Sequence, residues 1–382
     1  MKKALIHDWY TVYGGAERCV ESLTNIWGDF DHFSLIDDLS IENRNIILKG
    51  KQTTNSFIQK LPFGKKKYRS YLPLFPLAIE QFDLSDYEVV ISSSSSVAKG
   101  VLTRPDQLHI SYVYSPVRYA WDLYHQYLRE SGLNSGFKGV FAKYFLHRLR
   151  LWDYATANRP NHYIAISKYV AERIKKIYNK ESIVIYPPVD TKSFTITEDT
   201  GDYYITCSRM VPYKKIDLIV EAFAMTNKKL IVIGEGPDYN KIKQLATENV
   251  QLLGFLEKNR VLNLIKKSKA FIFAAEEDFG IAPIEAQAAG VPVIAFGKGG
   301  ILETVKGQFS SSDSIDKSFT GVFFEQQTTK SLLKAVEYFE KNNSIFDKEV
   351  IRQSAQRFSV ERFEKEFQQT VEELYKNWKS NK

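Results

Sequence analysis

The chain has 382 residues, of which 44% are hydrophobic and 25% charged, a composition that suits an ordinary globular protein with room for two domains and their cores. Its two cysteines, Cys19 and Cys207, argue against a disulfide framework, and no apolar run reaches the length of a bilayer span. The formal charge of +7 is lopsided, with 25 basic against 19 acidic residues through Asp190; nucleic acid, anionic lipid and an anionic substrate all stay open as partners.

Met1-Lys2-Lys3 leads straight into a predicted strand at 3–7 rather than a secretion signal, so a cytoplasmic protein is expected. A loop then reaches Gly14-Gly15-Ala16-Glu17 and a helix with Val20, Leu23, Ile26 and Trp27 on one face. Gly14 and Gly15 read either as an ordinary tight turn or as a place where backbone approaches a diphosphate or an acceptor. Asp29-Phe30-Asp31 has the acid-x-acid form of a metal site, but it enters a predicted strand at 33–36 and reads as structural. Lys60 and the run Lys65, Lys66, Lys67, Tyr68, Arg69 form either a solvated helix face or a contact with an anionic membrane leaflet, where each basic side chain contributes about 1 kcal/mol.

A strand at 88–92 runs into five serines, 92–96, read as a tight turn because Val97 and Val101 follow. The next strand, 109–113, ends at Tyr114-Ser115-Pro116-Val117-Arg118-Tyr119-Ala120-Trp121-Asp122. His109 lies mid-strand and reads as core, and none of the six histidines pair at metal-ligand spacing. Residues 119–159 read as long helices rich in aromatic and basic side chains, suited to core packing, an acceptor groove or a membrane-facing surface. A strand at 162–166, a helix capped by Ser167 and a strand at 182–186 lead to Pro187-Pro188, which cannot continue a sheet interior and is read as the domain boundary.

The second domain opens with a strand at 203–208, followed by Arg209-Met210-Val211-Pro212-Tyr213-Lys214 and a helix from 216. Arg209 offers a planar fork for phosphate and Lys214 a point charge, a pair equally suited to an exposed surface. Strand 230–234 ends in Gly234-Glu235-Gly236-Pro237, a weak dinucleotide signal because Tyr239 stands where a third glycine would be. After a strand at 250–254 and a helix at 256–267 comes AFIFAAEEDFGIAPIEAQAAGVPVIAF, 270–296, which reads as buried strand, acidic loop, helix and strand. In open α/β sheets ligands bind beyond the carboxyl ends of strands, so Glu277 stands at a ligand edge and Glu285 in the helix that starts there. Unpaired amides at that helix start, with Gly280 before it, suit an anion. Carboxylates suit hydroxyls. A sugar nucleotide carries both. Gly299-Gly300 and Glu303 lie at one more strand end, and the final helix spaces Val360, Phe363, Phe367, Val371, Leu374 and Trp378 on one face.

Glu277-Asp278-Phe279-Gly280-Ile281-Ala282-Pro283-Ile284-Glu285 resembles the paired-glutamate motif of glycosyltransferase family 4, retaining enzymes of the GT-B fold, and the likeness runs through nearly the whole chain. The resemblance implies an α/β architecture of two doubly wound Rossmann-like domains facing a cleft: 1–188 on the acceptor side, 189–358 for the nucleotide-sugar donor, and 359–382 as a helix crossing back onto the first. It implies a phosphate clamp of Arg209 and Lys214, catalysis with Glu277, and donor contacts from Gly14, Gly15, Gly234, Phe279, Gly280, Ile281 and Glu285. Tyr114, Arg118, Tyr119, Trp121 and Asp122 fall beside the reacting sugar or acceptor; many relatives have histidine where this chain has Tyr114.

The stretch 114–122 is similar to that of mannosyltransferases that build O-antigen or capsule. The resemblance therefore implies transfer of mannose from GDP-mannose to a lipid-linked saccharide, without metal or cofactor, by a cytoplasmic protein in peripheral contact with the inner membrane face. A UDP-sugar-dependent transferase and a sugar-nucleotide-binding protein without transfer are the alternatives. An epimerase ranks lower and nucleic-acid binding last.

Overall fold

A computed structural model describes residues 2–312 and 316–381. The chain divides into two compact units, Met1–Pro188 with Glu361–Lys382, and Val189–Val360.

The first unit holds a seven-stranded parallel sheet: β1 (Lys3–His7), β2 (Asp31–Ser34), β3 (Thr53–Asn55), β4 (Val89–Ser94), β5 (Leu108–Val113), β6 (His162–Ala165) and β7 (Ile183–Val184). The spatial order is β3-β2-β1-β4-β5-β6-β7, so strand order reverses between β1 and β4. All of β1, β4 and β5 is buried, as expected where helices cover both faces of a parallel sheet. Strand β4 extends through Ser94 where the sequence suggested an end at 92; Ser93 and Ser94 pair with Tyr112 and Val113, and the hydroxyls find partners within the fold. Strand β2 begins at Asp31, whose Cα pairs with Ala4, two residues earlier than expected. Lys3 Nζ grips the Asp29 carboxylate at 2.6 and 2.8 Å and the Tyr87 hydroxyl donates to Asp31, so both acids serve the fold.

Residues 119–159 form two helices, Tyr124–Glu130 and Gly136–Ala155. The closing helix Val360–Ser380 buries Phe363, Phe367 and Val371. Tyr112 stands edge-on to Phe367 at 5.5 Å, Trp27 to Phe367 at 6.4 Å, and Arg362 donates to the Tyr186 carbonyl.

The second unit repeats the plan with β8 (Tyr204–Cys207), β9 (Leu230–Ile233), β10 (Val250–Gly254), β11 (Phe271–Phe273), β12 (Val293–Phe296), β13 (Gly307–Phe309) and β14 (Gly321–Phe324), all parallel, in the order β10-β9-β8-β11-β12-β14-β13. Order reverses here between β8 and β11. Tyr204, Ile219, Phe223, Ile272, Ile294, Phe324 and Phe339 belong to one core cluster. No helix among the described residues is long and apolar enough to cross a membrane.

Candidate functional site

Crevices in doubly wound sheets open where strand order reverses, beyond the carboxyl ends of the two central strands. In the second unit those ends are Cys207 and Phe273, and the stretches that follow them carry Arg209, Lys214, Glu277 and Glu285.

Arg209 lies two residues past β8 and is exposed to solvent. Its backbone is clamped by the turn after β9: Met210 N–H donates to the Glu235 carbonyl at 2.9 Å, and Asp238 N–H to the Met210 carbonyl at 3.2 Å. Gly234 makes that contact possible. Its φ is +130°, and a Cβ there would sit 1.9 Å from the Ser208 carbonyl oxygen, so any side chain would push the Arg209 segment aside. The Gly-Glu-Gly turn thus acts on the site through backbone packing.

Lys214 ends a short 3-10 turn, Pro212–Lys214, and its ammonium contacts Glu277 Oε1 directly. Both side chains are partly sheltered, 18% and 17% exposed. Glu277 is fixed by its main chain, whose carbonyl accepts from Gly300 N–H at 2.8 Å, and Glu276 pairs with Lys298 at 3.2 Å. Glu285 is half-buried in the helix Ile281–Ala288. Burial pushes the Cys207 thiol up to about 12, with the Glu285 carboxylate adding to the rise and the Lys214 ammonium opposing it. Glu285 and Lys214 therefore both act electrostatically on the thiol that ends β8. Gly280 precedes the helix with φ +95°, a left-handed conformation that leaves the Ile281 amide at the first turn. Phe279 is buried edge-on to Phe358, ring centroids 5.5 Å apart, so it can reach a ligand only through its backbone.

The corresponding reversal in the first unit, between β1 and β4, is occupied by the protein itself. Asp8, buried just past β1, accepts from Ser95 N–H, Ser95 Oγ and Ser96 N–H on one oxygen and from Val97 and Ala98 N–H on the other, at 2.6–3.0 Å. The amides beyond β4 make an anion nest already filled by a carboxylate. Alongside, His7 Nδ1 lies 3.0 Å from Ser93 Oγ, His7 Nε2 lies 3.6 Å from Glu17, and Glu17 accepts from Gly14 N–H at 3.1 Å. Gly14 caps the helix Gly15–Ile26, so this chain of contacts sets the glycine turn.

Tyr114 joins the same network: its hydroxyl lies 2.8 Å from Ser93 Oγ and donates to the Ala16 carbonyl at 3.0 Å, and burial holds its pKa well above the ordinary phenol. Tyr119 meets Ser96 Oγ at 3.0 Å. Trp121 donates to buried Asp153, which pairs with buried Lys99. Asp122 binds Arg173 at 2.9 Å and lies 3.9 Å from Arg118. The sequence places these five residues beside the reacting sugar or the acceptor; in the structure their polar groups also hold the loop after β5 in place. His109 is wholly buried with Nε2 2.9 Å from Ser92 Oγ, as a core residue.

Lys65, Lys66, Lys67 and Arg69 are all exposed. They surround a turn in which Phe63 is 71% exposed. No group of three or more His, Cys, Asp or Glu side chains placed to hold a metal ion occurs among the described residues. A cavity lined by Asp202, Tyr204, Lys269, Pro292 and Glu340 opens at the opposite, amino-terminal edge of the second sheet.

Residues 189–358 match a family model described as "Glycosyl transferases group 1". Over 172 residues the chain is 31% identical to the GDP-mannose-dependent monoacylated alpha-(1-6)-phosphatidylinositol monomannoside mannosyltransferase of Corynebacterium glutamicum, covering 37% of this chain and 45% of that protein. Over 156 residues it is 29% identical to the O-antigen chain mannosyltransferase RfbU of Salmonella typhimurium, covering 36% and 43%. The chain spans about 45% of the length of the curated relatives it matches. Among solved structures it resembles sucrose-phosphate synthase of Thermosynechococcus elongatus, with a TM-score of 0.72 at 14% identity over 99% of this chain and 100% of that one. It also resembles HepE of Anabaena in complex with UDP-glucose, with a TM-score of 0.68 at 15% identity over 97% and 99%. The structural likenesses show the fold, the GT-B class.

Proposed function

Since residues 189–358 match the model of the group 1 glycosyl transferases, we propose that this chain moves a hexose from a nucleoside-diphosphate sugar to an acceptor hydroxyl with retention at the anomeric carbon. The observation that carries the reading is the contact of Lys214 with Glu277 at the end of β8, with Arg209 exposed on the same segment. Without ligand the ammonium and carboxylate neutralise one another. When the donor arrives, Lys214 and Arg209 turn to its diphosphate, and Glu277 is released to accept from sugar hydroxyls. Glu285 holds the ribose hydroxyls, and the amides at Gly280 and Ile281 complete the phosphate cradle.

In the reaction the bond from the anomeric carbon to the diphosphate oxygen breaks through an oxocarbenium-like state, and the bond to the acceptor oxygen forms. The leaving phosphate takes the acceptor proton. Charge grows on that phosphate, where a fixed cation lowers the barrier most. The clamp needs no metal ion in this scheme.

Mannose from GDP-mannose is the first donor, supported by the Corynebacterium and Salmonella relatives; a UDP-sugar is the alternative, supported by the UDP-glucose complex of HepE. The acceptor is a lipid-linked saccharide reached from the inner membrane face, with Lys65, Lys66, Lys67 and Arg69 contacting anionic headgroups. A thermal-shift panel of nucleotide sugars tests the donor, because a ligand that binds only the folded state raises Tm. GDP-mannose is expected to give the largest shift. A larger shift with UDP-sugars overturns the mannose assignment, and no shift with any nucleotide sugar overturns the transferase reading.

A further inference from the structure

The helix Gly136–Ala155 packs one face inward, through Leu146 and Leu149, against Val117, Ala120 and Leu128. Its opposite face is apolar as well. Phe137, Val140, Phe141, Tyr144, Leu151 and Tyr154 are between 50% and 88% exposed. Their spacing of three, one, three, seven and three residues keeps them on one stripe, about 26 Å long at 1.5 Å per residue. Soluble surfaces scatter large apolar side chains singly; a stripe of six marks a surface that something covers.

The charges on this helix say what covers it. Lys138, Lys143 and Arg148 are exposed, whereas its one acid, Asp153, is wholly buried against Lys99 and Trp121. A second copy of the stripe would set these cations against cations with no exposed acid to answer them. An anionic lipid surface answers both the apolar stripe and the cations beside and within it. The basic loop lies close by, because Leu72, three residues after Arg69, packs on the same cluster as Leu146 and Leu149.

We infer that the outer face of Gly136–Ala155 is a membrane-insertion surface, its aromatic stripe lying in the headgroup region of an anionic bilayer beside the basic loop at 65–69. The inference deepens the membrane contact proposed above and rests on it.

The test is co-sedimentation of the full chain with vesicles of phosphatidylcholine alone and of equal parts phosphatidylcholine and phosphatidylglycerol. Binding to the anionic vesicles alone is expected. The double variant Phe141→Asp/Tyr144→Asp should lower that binding about tenfold or more, while nucleotide release from donor in detergent solution stays at the wild-type rate, since neither residue belongs to the sugar-nucleotide site. The variant Lys65→Glu/Lys66→Glu/Lys67→Glu measures the loop separately. If the stripe variant binds vesicles as wild type does, the stripe inference falls while the loop contact stands. Failure of the wild type to bind either vesicle overturns both, and a wild-type dimer that the stripe variant dissociates assigns the face to a second copy instead. Loss of nucleotide release in the wild type strikes the transferase reading and leaves the vesicle result untouched.

Discussion

The two units reverse strand order in the same way, between β1 and β4 in one and between β8 and β11 in the other, yet they use that point differently. In the first unit Asp8 fills the nest of amides at 95–98, and Tyr114, Ser93 and His7 tie the neighbouring loops together. In the second the amides at the start of Ile281–Ala288 follow a glycine, and the charged groups at the mouth include a lysine and a glutamate in contact with each other. One topology thus yields a closed joint and an open site. The difference lies in where the carboxylate sits: Asp8 directly beyond the strand reaches the facing turn, whereas Glu277, four residues past β11, stays at the rim.

The sharpest way to break this comparison is Arg209→Ala. If the open site does chemistry, turnover measured as nucleotide release should fall about a hundredfold to a thousandfold, with Tm unchanged because the side chain is exposed. Next comes Asp8→Ala, which strands four amides, three of them buried, and should cost about 3 kcal/mol or more of stability. All five tryptophans, Trp9, Trp27, Trp121, Trp152 and Trp378, lie in the first unit, so urea unfolding followed by their fluorescence reads that unit directly.

Acid should also separate the units, because every histidine is in the first. Burial lowers His32 from 6.5 to about 4 and His109 from 6.5 to about 3. Below pH 6.5 the unfolded chain binds protons that these folded imidazoles refuse, so the first unit loses about 1.4 kcal/mol per pH unit for each histidine. The loss levels off near pH 4 for His32 and pH 3 for His109. A pH series of the same unfolding curves checks the slope, and a flat series between pH 6 and 4 would falsify it. The smallest effect is that of Glu277→Gln on stability. The partly exposed pair with Lys214 contributes within about 1 kcal/mol, so Tm should barely move while the donor-induced thermal shift shrinks.

Much of this contrast could be read from the sequence, because the open site is built from local signals. A buried apolar run, an acidic loop, Gly280 and a helix with Glu285 eight residues after Glu277 follow one another within a single stretch. The closed joint has no such signal. Asp8 finds its partners 87 to 90 residues later, and nothing near it in the chain distinguishes it from a solvated aspartate. The contacts of Tyr114 were hidden for the same reason, since its bonds to Ser93 and Ala16 depend on strand adjacency and not on the motif around it. The glycines at 234 and 236 were visible, but their purpose, close packing on the backbone at 208–210, needed the third dimension. The short edge strands β3 and β13 escaped because three residues carry too little periodicity to declare a strand.

The bridge between Val189 and Ser359 brings the two ends of the second unit side by side, with Val189 N–H donating to the Phe358 carbonyl at 2.8 Å. Topologically that unit is an insertion, entered and left through adjacent doorways. During synthesis the second unit can therefore be completed before the first, and Tyr112 and Trp27 wait for Phe367 until the ribosome has read through all of it. Shortening the chain from its carboxyl end would injure the unit made earliest.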